Sequence, residues 1–216
     1  MTSPKFVFVA GVPGSSWSML SHRLKSMIDA DPTDYDENRT FKFGKHKELG
    51  SHHGCYFGPN NEFGEHFDDI ASNYTLEEFV NECQLPFAKD DKPKMIRSHW
   101  FSRQLDWLWD NFKGHDLFLI YKNDQIAFDH WIMRGGFDIT HPVYTWYKDP
   151  ENMRSAIALE NSAILDFAAR KQLVWDNYSE DWWFTRFGTH ETKHPGRPRE
   201  DEYINNSLRV IYVSIT

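Results

Sequence analysis

Short runs of apolar residues alternate along the chain with longer stretches in which apolar positions recur every three or four residues. That alternation predicts strands and helices in turn. Phe6 to Ala10 is apolar at every position, the pattern of a strand buried on both faces. Trp17, Leu20, Leu24, Met27 and Ile28 then share one face of a helix that begins at about Ser15. Asp29 to Asn38 is acidic and holds Pro32, so it reads as a loop, and Thr40 to Lys47 is a candidate strand. Leu49 to Phe67 is rich in Gly, His and Asn and reads as a long irregular excursion. Thr75 opens Thr-Leu-Glu-Glu, a capping-box start for a helix to about Cys83. Lys89 to Lys94 is a charged turn.

The second half repeats the alternation. "KMIRSHW" is a short strand ending near Ser98 and His99, and Phe101, Leu105, Leu108 and Phe112 stripe the helix after it. Gly114 stops that helix. "HDLFLIYK" is the clearest strand. Asn123 and Asp124 offer a cap for a helix over Gln125 to Arg134, and Gly135-Gly136 ends it. Pro142 to Tyr147 is an aromatic loop or lid. Met153, Ile157, Ile164, Leu165 and Ala168 mark a long helix that extends toward Asn177. His190 to Glu202 is polar, and "LRVIYVS" is a final strand. Strands and helices in this order predict one three-layer α/β/α domain over residues 1–216 with a central, mainly parallel sheet. Ligands of such sheets sit beyond the carboxyl ends of the strands. The loop after Ala10, Ser98-His99 and Lys122-Asn123 all fall at such ends.

Composition narrows the possible functions. The net charge is -8, which argues against a nucleic-acid binder. A local basic pocket for a small anion remains compatible with it. The two cysteines, Cys55 and Cys83, form no metal-like pair, and a reducing cytoplasm suits them. No signal peptide precedes the first strand, and no apolar run nears the roughly 20 residues of a membrane span. His46, His52, His53, Cys55 and His66 have no familiar zinc spacing, so loop histidines are expected and no metal.

"GVPGSSW", Gly11 to Trp17, joins the first strand to the first helix. Glycines let backbone N–H groups face a ligand, and the helix start adds unpaired donors and a positive dipole end. Ser15 and Ser16 add hydroxyls. This suits a phosphate. It also suits a tight turn with a serine cap, and the loop alone leaves both readings open. The nucleotide-triphosphate pattern G-x-x-x-x-G-K-[ST] is not present.

"VPGSSW" resembles the 5'-phosphosulfate loop of sulfotransferases that use 3'-phosphoadenosine 5'-phosphosulfate (PAPS), commonly Pro-Lys-Ser-Gly-Thr-Thr-Trp. Pro13, Gly14, Ser15, Ser16 and Trp17 lie in the matching stretch, and Val12 stands where the family has lysine. "RSH", Arg97 to His99, resembles the Lys-Thr-His segment with the family's catalytic base. "IYKNDQIAFDHW" resembles the 3'-phosphate segment, with Lys122 for its arginine and His130 for its serine. "KHPGRPR" stands in for a late basic-glycine loop. The resemblance covers roughly Lys5 to Arg134. It implies a P-loop nucleotide-kinase-like fold, a PAPS/PAP site, and transfer of a sulfuryl group to a hydroxyl or amine of a small-molecule or carbohydrate acceptor.

In that reading His99 is the base and Gly14 to Trp17 hold the 5'-phosphate. Lys122 and His130 face the 3'-phosphate. Arg97 replaces the missing lysine, because an extended strand points residues 97 and 99 to the same side. Lys5, at the other end of its strand, is too distant. Trp131, Tyr144, Trp146 and Tyr147 are candidate stacking groups for the acceptor, and Asp129 is an ordinary helix-face neighbour of His130. Two alternatives stay open: a phosphate-loop kinase, and a non-catalytic relative that binds a nucleotide or a partner. The oligomeric state is not legible in the sequence.

Overall fold

The computed structural model describes residues 5–34, 41–42, 51–52, 74–89, 91–134, 136, 149–188 and 207–216. In chain order the elements are β1 (Phe6–Gly11), α1 (Trp17–Met27), β2 (Phe41–Lys42), β3 (Ser51–His52), α2 (Leu76–Gln84) and β4 (Lys94–Arg97). A 3-10 helix (His99–Arg103) comes next, then α3 (Leu105–Asn111), β5 (Asp116–Lys122), α4 (Asp124–Met133) and α5 (Pro150–Arg170). β6 (Asp176–Asn177), α6 (Glu180–Phe187) and β7 (Leu208–Ser214) complete the order.

Five strands form one mixed sheet in the order β4-β1-β5-β7-β6. β1 pairs in parallel with β4 on one side and β5 on the other. Its all-apolar sequence is explained by that central place, since both its faces are covered. The expected mainly parallel sheet holds for these three strands only. β7 runs antiparallel to β5, and β6 antiparallel to β7. Tyr212 Oη and Ser214 Oγ of β7 donate to the Asp116 carboxylate at 2.6 and 2.7 Å, which fixes that register.

Alternate residues of the strands feed two separate cores. Val7, Val9, Phe118, Ile120 and Val210 meet α1 and α6 through Trp17, Leu20, Leu24, Trp182 and Trp183. Phe6, Phe8, Ile96, Leu117, Leu119 and Ile211 face the opposite way, toward residues of α2, α3, α4 and α5 and the 3-10 turn. Helices therefore cover both faces of the sheet. No helix among the described residues is long and apolar enough to cross a membrane.

Several local expectations change. Thr75 caps α2 with a full capping box, as its sequence predicts. The helix expected from Phe101 to Phe112 is instead a 3-10 turn and α3, separated at Gln104 (φ -121°). α5 stops at Arg170, with Gln172 at φ 55°, and Asp176–Asn177 is strand, so the helix does not extend toward Asn177. Phe167 takes the buried place expected for Leu165, which is exposed. Only 41–42 and 51–52 of the first candidate strand and the excursion are described, as an antiparallel pair. The rest of 43–67, the lid at 142–147 with Tyr144, Trp146 and Tyr147, and the 190–202 stretch lie outside the described residues.

Candidate anion-binding site

β4, β1 and β5 are adjacent and parallel, so their carboxyl ends bring three polar segments to one edge of the sheet. The central one is the opening loop. Ser15 N donates to Val12 O at 3.0 Å, closing a four-residue turn. Pro13 takes the second place of that turn and Gly14, at φ 77°, the third. Proline presets φ and glycine supplies the positive φ, the pairing a type II turn needs. Gly14 is fixed for a second reason: a Cβ there would lie 1.8 Å from the Ala127 carbonyl oxygen of α4.

Turn chemistry accounts for Pro13 and Gly14 but not for the two serines after them. Ser16, the N-cap of α1, sits in the left-handed region at φ 67° and makes no side-chain cap. A non-glycine residue there costs roughly 1–2 kcal/mol. Its hydroxyl instead accepts a 2.7 Å hydrogen bond from Lys122 Nζ. Lys122 ends β5 and is fully buried. Ser15 is also fully buried, and its hydroxyl has no hydrogen-bond partner among the described residues.

His130 completes the group from α4. Its Nδ1 lies 2.8 Å from Gly14 O, 3.2 Å from Lys122 Nζ and 3.5 Å from Ser16 Oγ. A carbonyl only accepts, so Nδ1 carries the proton and donates to Gly14. Arg134 Nε donates to Nε2 at 3.2 Å, which requires a lone pair there. Both contacts are satisfied by one neutral tautomer. Burial first, then the Lys122 charge and that of Arg134, press the imidazole pKa down to about 4, against the opposing pull of the Gly14 carbonyl.

This depression has a sign. The unfolded chain binds a proton near pH 6.5 that the folded protein refuses until about pH 4. Stability from His130 is complete above pH 6.5 and is lost as pH falls toward 4, by about 3 kcal/mol. Burial lowers the His115 pKa as well, so it adds to the loss. Urea unfolding at pH 7 and pH 4.5 checks this, with a flatter dependence expected in His130→Asn. Equal stability at the two pH values contradicts the assignment.

Arg97 stands on the other flank. It ends β4, is 3% exposed, and its guanidinium lies over the Trp17 ring at 5.7 Å. The start of α1 is thus bracketed by two buried cations, Arg97 from β4 and Lys122 from β5. Added to the helix dipole, they concentrate positive charge in a chain of net charge -8. Val12, at the family's lysine position, is fully buried in the core. Lys5 lies at the far edge of the sheet, ion-paired to Asp116 at 2.8 Å.

His99 opens the 3-10 helix just after β4. Strand alternation therefore stops at Ser98 and no longer links residue 99 to Arg97 as expected; the His99 side chain lies outside the described residues. Ser98 caps the turn by accepting from Trp100 N at 3.1 Å. Asn123 caps α4. Asp129 accepts from Gln125 Nε2, and Trp131 is core, not an exposed stacking platform.

Three contributors escape a reading of motifs. Arg134 joins the site only through the helical spacing from His130. Asn161 of α5 donates to Lys122 O at 2.8 Å and to Asp124 Oδ1 at 2.6 Å, fixing the end of β5. Glu160, beside it, is fully buried. The available signal was an interruption: polar residues 160 and 161 break the apolar stripe of α5. Among the described residues no group of three or more His, Cys, Asp or Glu is placed to hold a metal ion. Comparison of the chain with protein-family models, with curated proteins and with solved structures finds no match.

Proposed function

We propose that the chain is a PAPS-dependent sulfotransferase-like enzyme on a P-loop nucleotide-kinase-like fold, acting on a hydroxyl or amine of a small-molecule or carbohydrate acceptor. The observation that carries this reading is the hydrogen bond from Lys122 to Ser16. It joins the two segments that resemble the 5'- and 3'-phosphate segments of that family. A donor nucleotide bearing phosphates at both ends suits a loop and a strand end that meet this closely.

In the reaction the acceptor oxygen or nitrogen attacks sulfur as the bond from sulfur to the bridging phosphate oxygen breaks. The electron pair leaves on the phosphate of adenosine 3',5'-bisphosphate (PAP), and His99 takes the acceptor's proton. Loop N–H groups and the Ser15 and Ser16 hydroxyls donate to the 5'-phosphosulfate. Arg97 compensates the charge that grows on the leaving phosphate, the task of the lysine that Val12 replaces. Lys122 serves the 3'-phosphate as a point charge, without the fork of an arginine. His130 stays neutral beside it and holds Gly14 in place.

Calorimetric titration with PAP, against ATP with magnesium, tests the reading. PAP is expected to bind and to be preferred. Ser16→Ala removes a donor to a charged group and is expected to weaken PAP binding by about 1.5–3 kcal/mol, roughly 10- to 150-fold. Preference for ATP favours the phosphate-loop kinase, and binding of neither favours a non-catalytic relative. Unchanged PAP affinity in Ser16→Ala reduces the loop to a turn.

A further inference from the structure

Ile157, Asn161, Ile164 and Ala168 of α5 are all buried. Their spacing of four, three and four residues puts them in one stripe along the helix. Three of them are core residues, and the second place holds a carboxamide that is 1% exposed. A leucine there would continue the apolar row. The amide is held in one orientation. Its Nδ2 donates to Lys122 O at 2.8 Å and to Asp124 Oδ1 at 2.6 Å, and a backbone carbonyl and a carboxylate oxygen both accept only. That orientation leaves Oδ1 buried with no hydrogen-bond partner among the described residues. An unpaired buried acceptor is a cost, so packing does not account for an amide in this place. The two bonds from Nδ2 do.

Those bonds span one turn of the chain. Lys122 is the last residue of β5 and Asp124 the first of α4. β1 pairs with β5 only as far as Gly11 and Ile120, so Lys122 runs on past it. On its other side Lys122 pairs with Leu208 of β7. Asn161 adds a hold from the helical layer, at the point where the chain leaves the sheet. Two groups of the site depend on that point. Lys122 stands just before the turn, and His130 is carried on the helix that follows it. Lys122 Nζ lies 3.2 Å from His130 Nδ1 and donates to Ser16 Oγ at 2.7 Å. The lysine is fully buried, so packing around its stem passes a shift of the main chain on to the ammonium.

We propose that Asn161 is a positioning residue for Lys122: by clamping the turn from β5 to α4 it sets the ammonium against Ser16 and the His130 ring. The clamp stands on these contacts alone. Its effect on a bound nucleotide rests on the sulfotransferase-like reading.

The His130 ring reports the clamp without any ligand, because the charges of Lys122 and Arg134 both press its pKa down. Among the other charged groups on α4 and α5 near this turn, Asp124 is bonded to Asn161, and Asp129 and Arg154 to Gln125. The test is an NMR titration of the His130 ring in the wild type, Asn161→Leu, Lys122→Met and the double variant. Lys122→Met removes the charge and is expected to raise the His130 pKa by about 1 unit. Asn161→Leu keeps the charge but releases the turn, and is expected to raise it by roughly half as much. In the double variant the leucine is expected to add nothing, since its effect passes through Lys122. PAP affinity is expected to fall roughly 10-fold in Asn161→Leu, with no further loss when that change is added to Lys122→Met.

An unchanged His130 pKa in N161L overturns the proposal. So does the same rise with and without Lys122, which would make Asn161 a packing residue acting on His130 by itself. PAP affinity lost in K122M but kept in N161L overturns it as well. If N161L does not fold, Asn161→Ala takes its place in the same titrations. Failure of the wild type to bind PAP sinks the functional reading alone, and the His130 titrations then decide the clamp.

Discussion

Gly14→Ala is expected to lower stability by at least about 3 kcal/mol and to abolish PAP binding. For a chain of this size that is a fall of roughly 6–12 °C in thermal midpoint. Two costs add. Alanine at φ 77° carries the left-handed penalty, about 1–2 kcal/mol. Its Cβ also meets the Ala127 carbonyl oxygen at 1.8 Å and Trp131 Cβ at 2.9 Å. Ala127 belongs to α4 and its N–H is bonded to Asn123 O, so relief requires moving the helix that presents His130. Gly114→Ala supplies the control. Gly114 has nearly the same dihedral, φ 82°, but nothing within 4 Å of the added carbon. It is expected to pay the backbone penalty alone. Equal losses in the two variants, measured by thermal unfolding, would show that the close approach of loop and α4 contributes nothing.

His99→Ala is expected to reduce sulfuryl-transfer turnover by roughly 10²–10⁴-fold while PAP affinity stays near the wild-type value. Histidine titrates near neutrality and can accept the acceptor's proton only when uncharged. The acidic limb of the wild-type pH profile should therefore disappear in the mutant. His99 begins the turn directly after β4, at the sheet edge where Arg97, Lys122 and the opening loop converge. Wild-type turnover in His99→Ala places the base elsewhere, whatever the nucleotide affinity.

The parts of this architecture that were legible in the sequence are those set by local chemistry. Phe6 to Ala10 announces a doubly covered strand because every position is apolar. Thr75 with Glu78 announces a helix start because the two groups satisfy each other's backbone donors. Pro13-Gly14 announces a turn. Lys122 and His130 were legible as candidate site residues only through the order of three segments. Their contact with Ser16 depends on β1 and β5 being neighbours, which no local pattern encodes. The direction of β7 was not legible for the same reason. "LRVIYVS" suits either orientation, and the antiparallel one is accompanied by the contacts of Tyr212 and Ser214 with Asp116. α6 lies in a stretch that carries no clear helical stripe, and its Trp182 and Trp183 are buried by tertiary packing against Phe118 and Tyr178. Arg97 shows a limit of parity arguments: the strand ends at that residue, so strand alternation no longer relates 97 to 99.

The place of β7 has a consequence for how the chain is made. It lies inside the sheet, between β5 and β6, yet comes after β5 only once α4, α5, β6 and α6 have been made. During synthesis β5 can pair with β1 on one side as soon as both have emerged. Its other side, the apolar "DLFLIYK" strand, remains an open row of backbone donors and acceptors until Leu208–Ser214 arrives. An exposed apolar strand edge is a template for pairing with other chains. The interval between β5 and β7 is therefore the period in which a nascent chain is most exposed to misassociation. The antiparallel strand that departs from the expected sheet is also the one that closes this window.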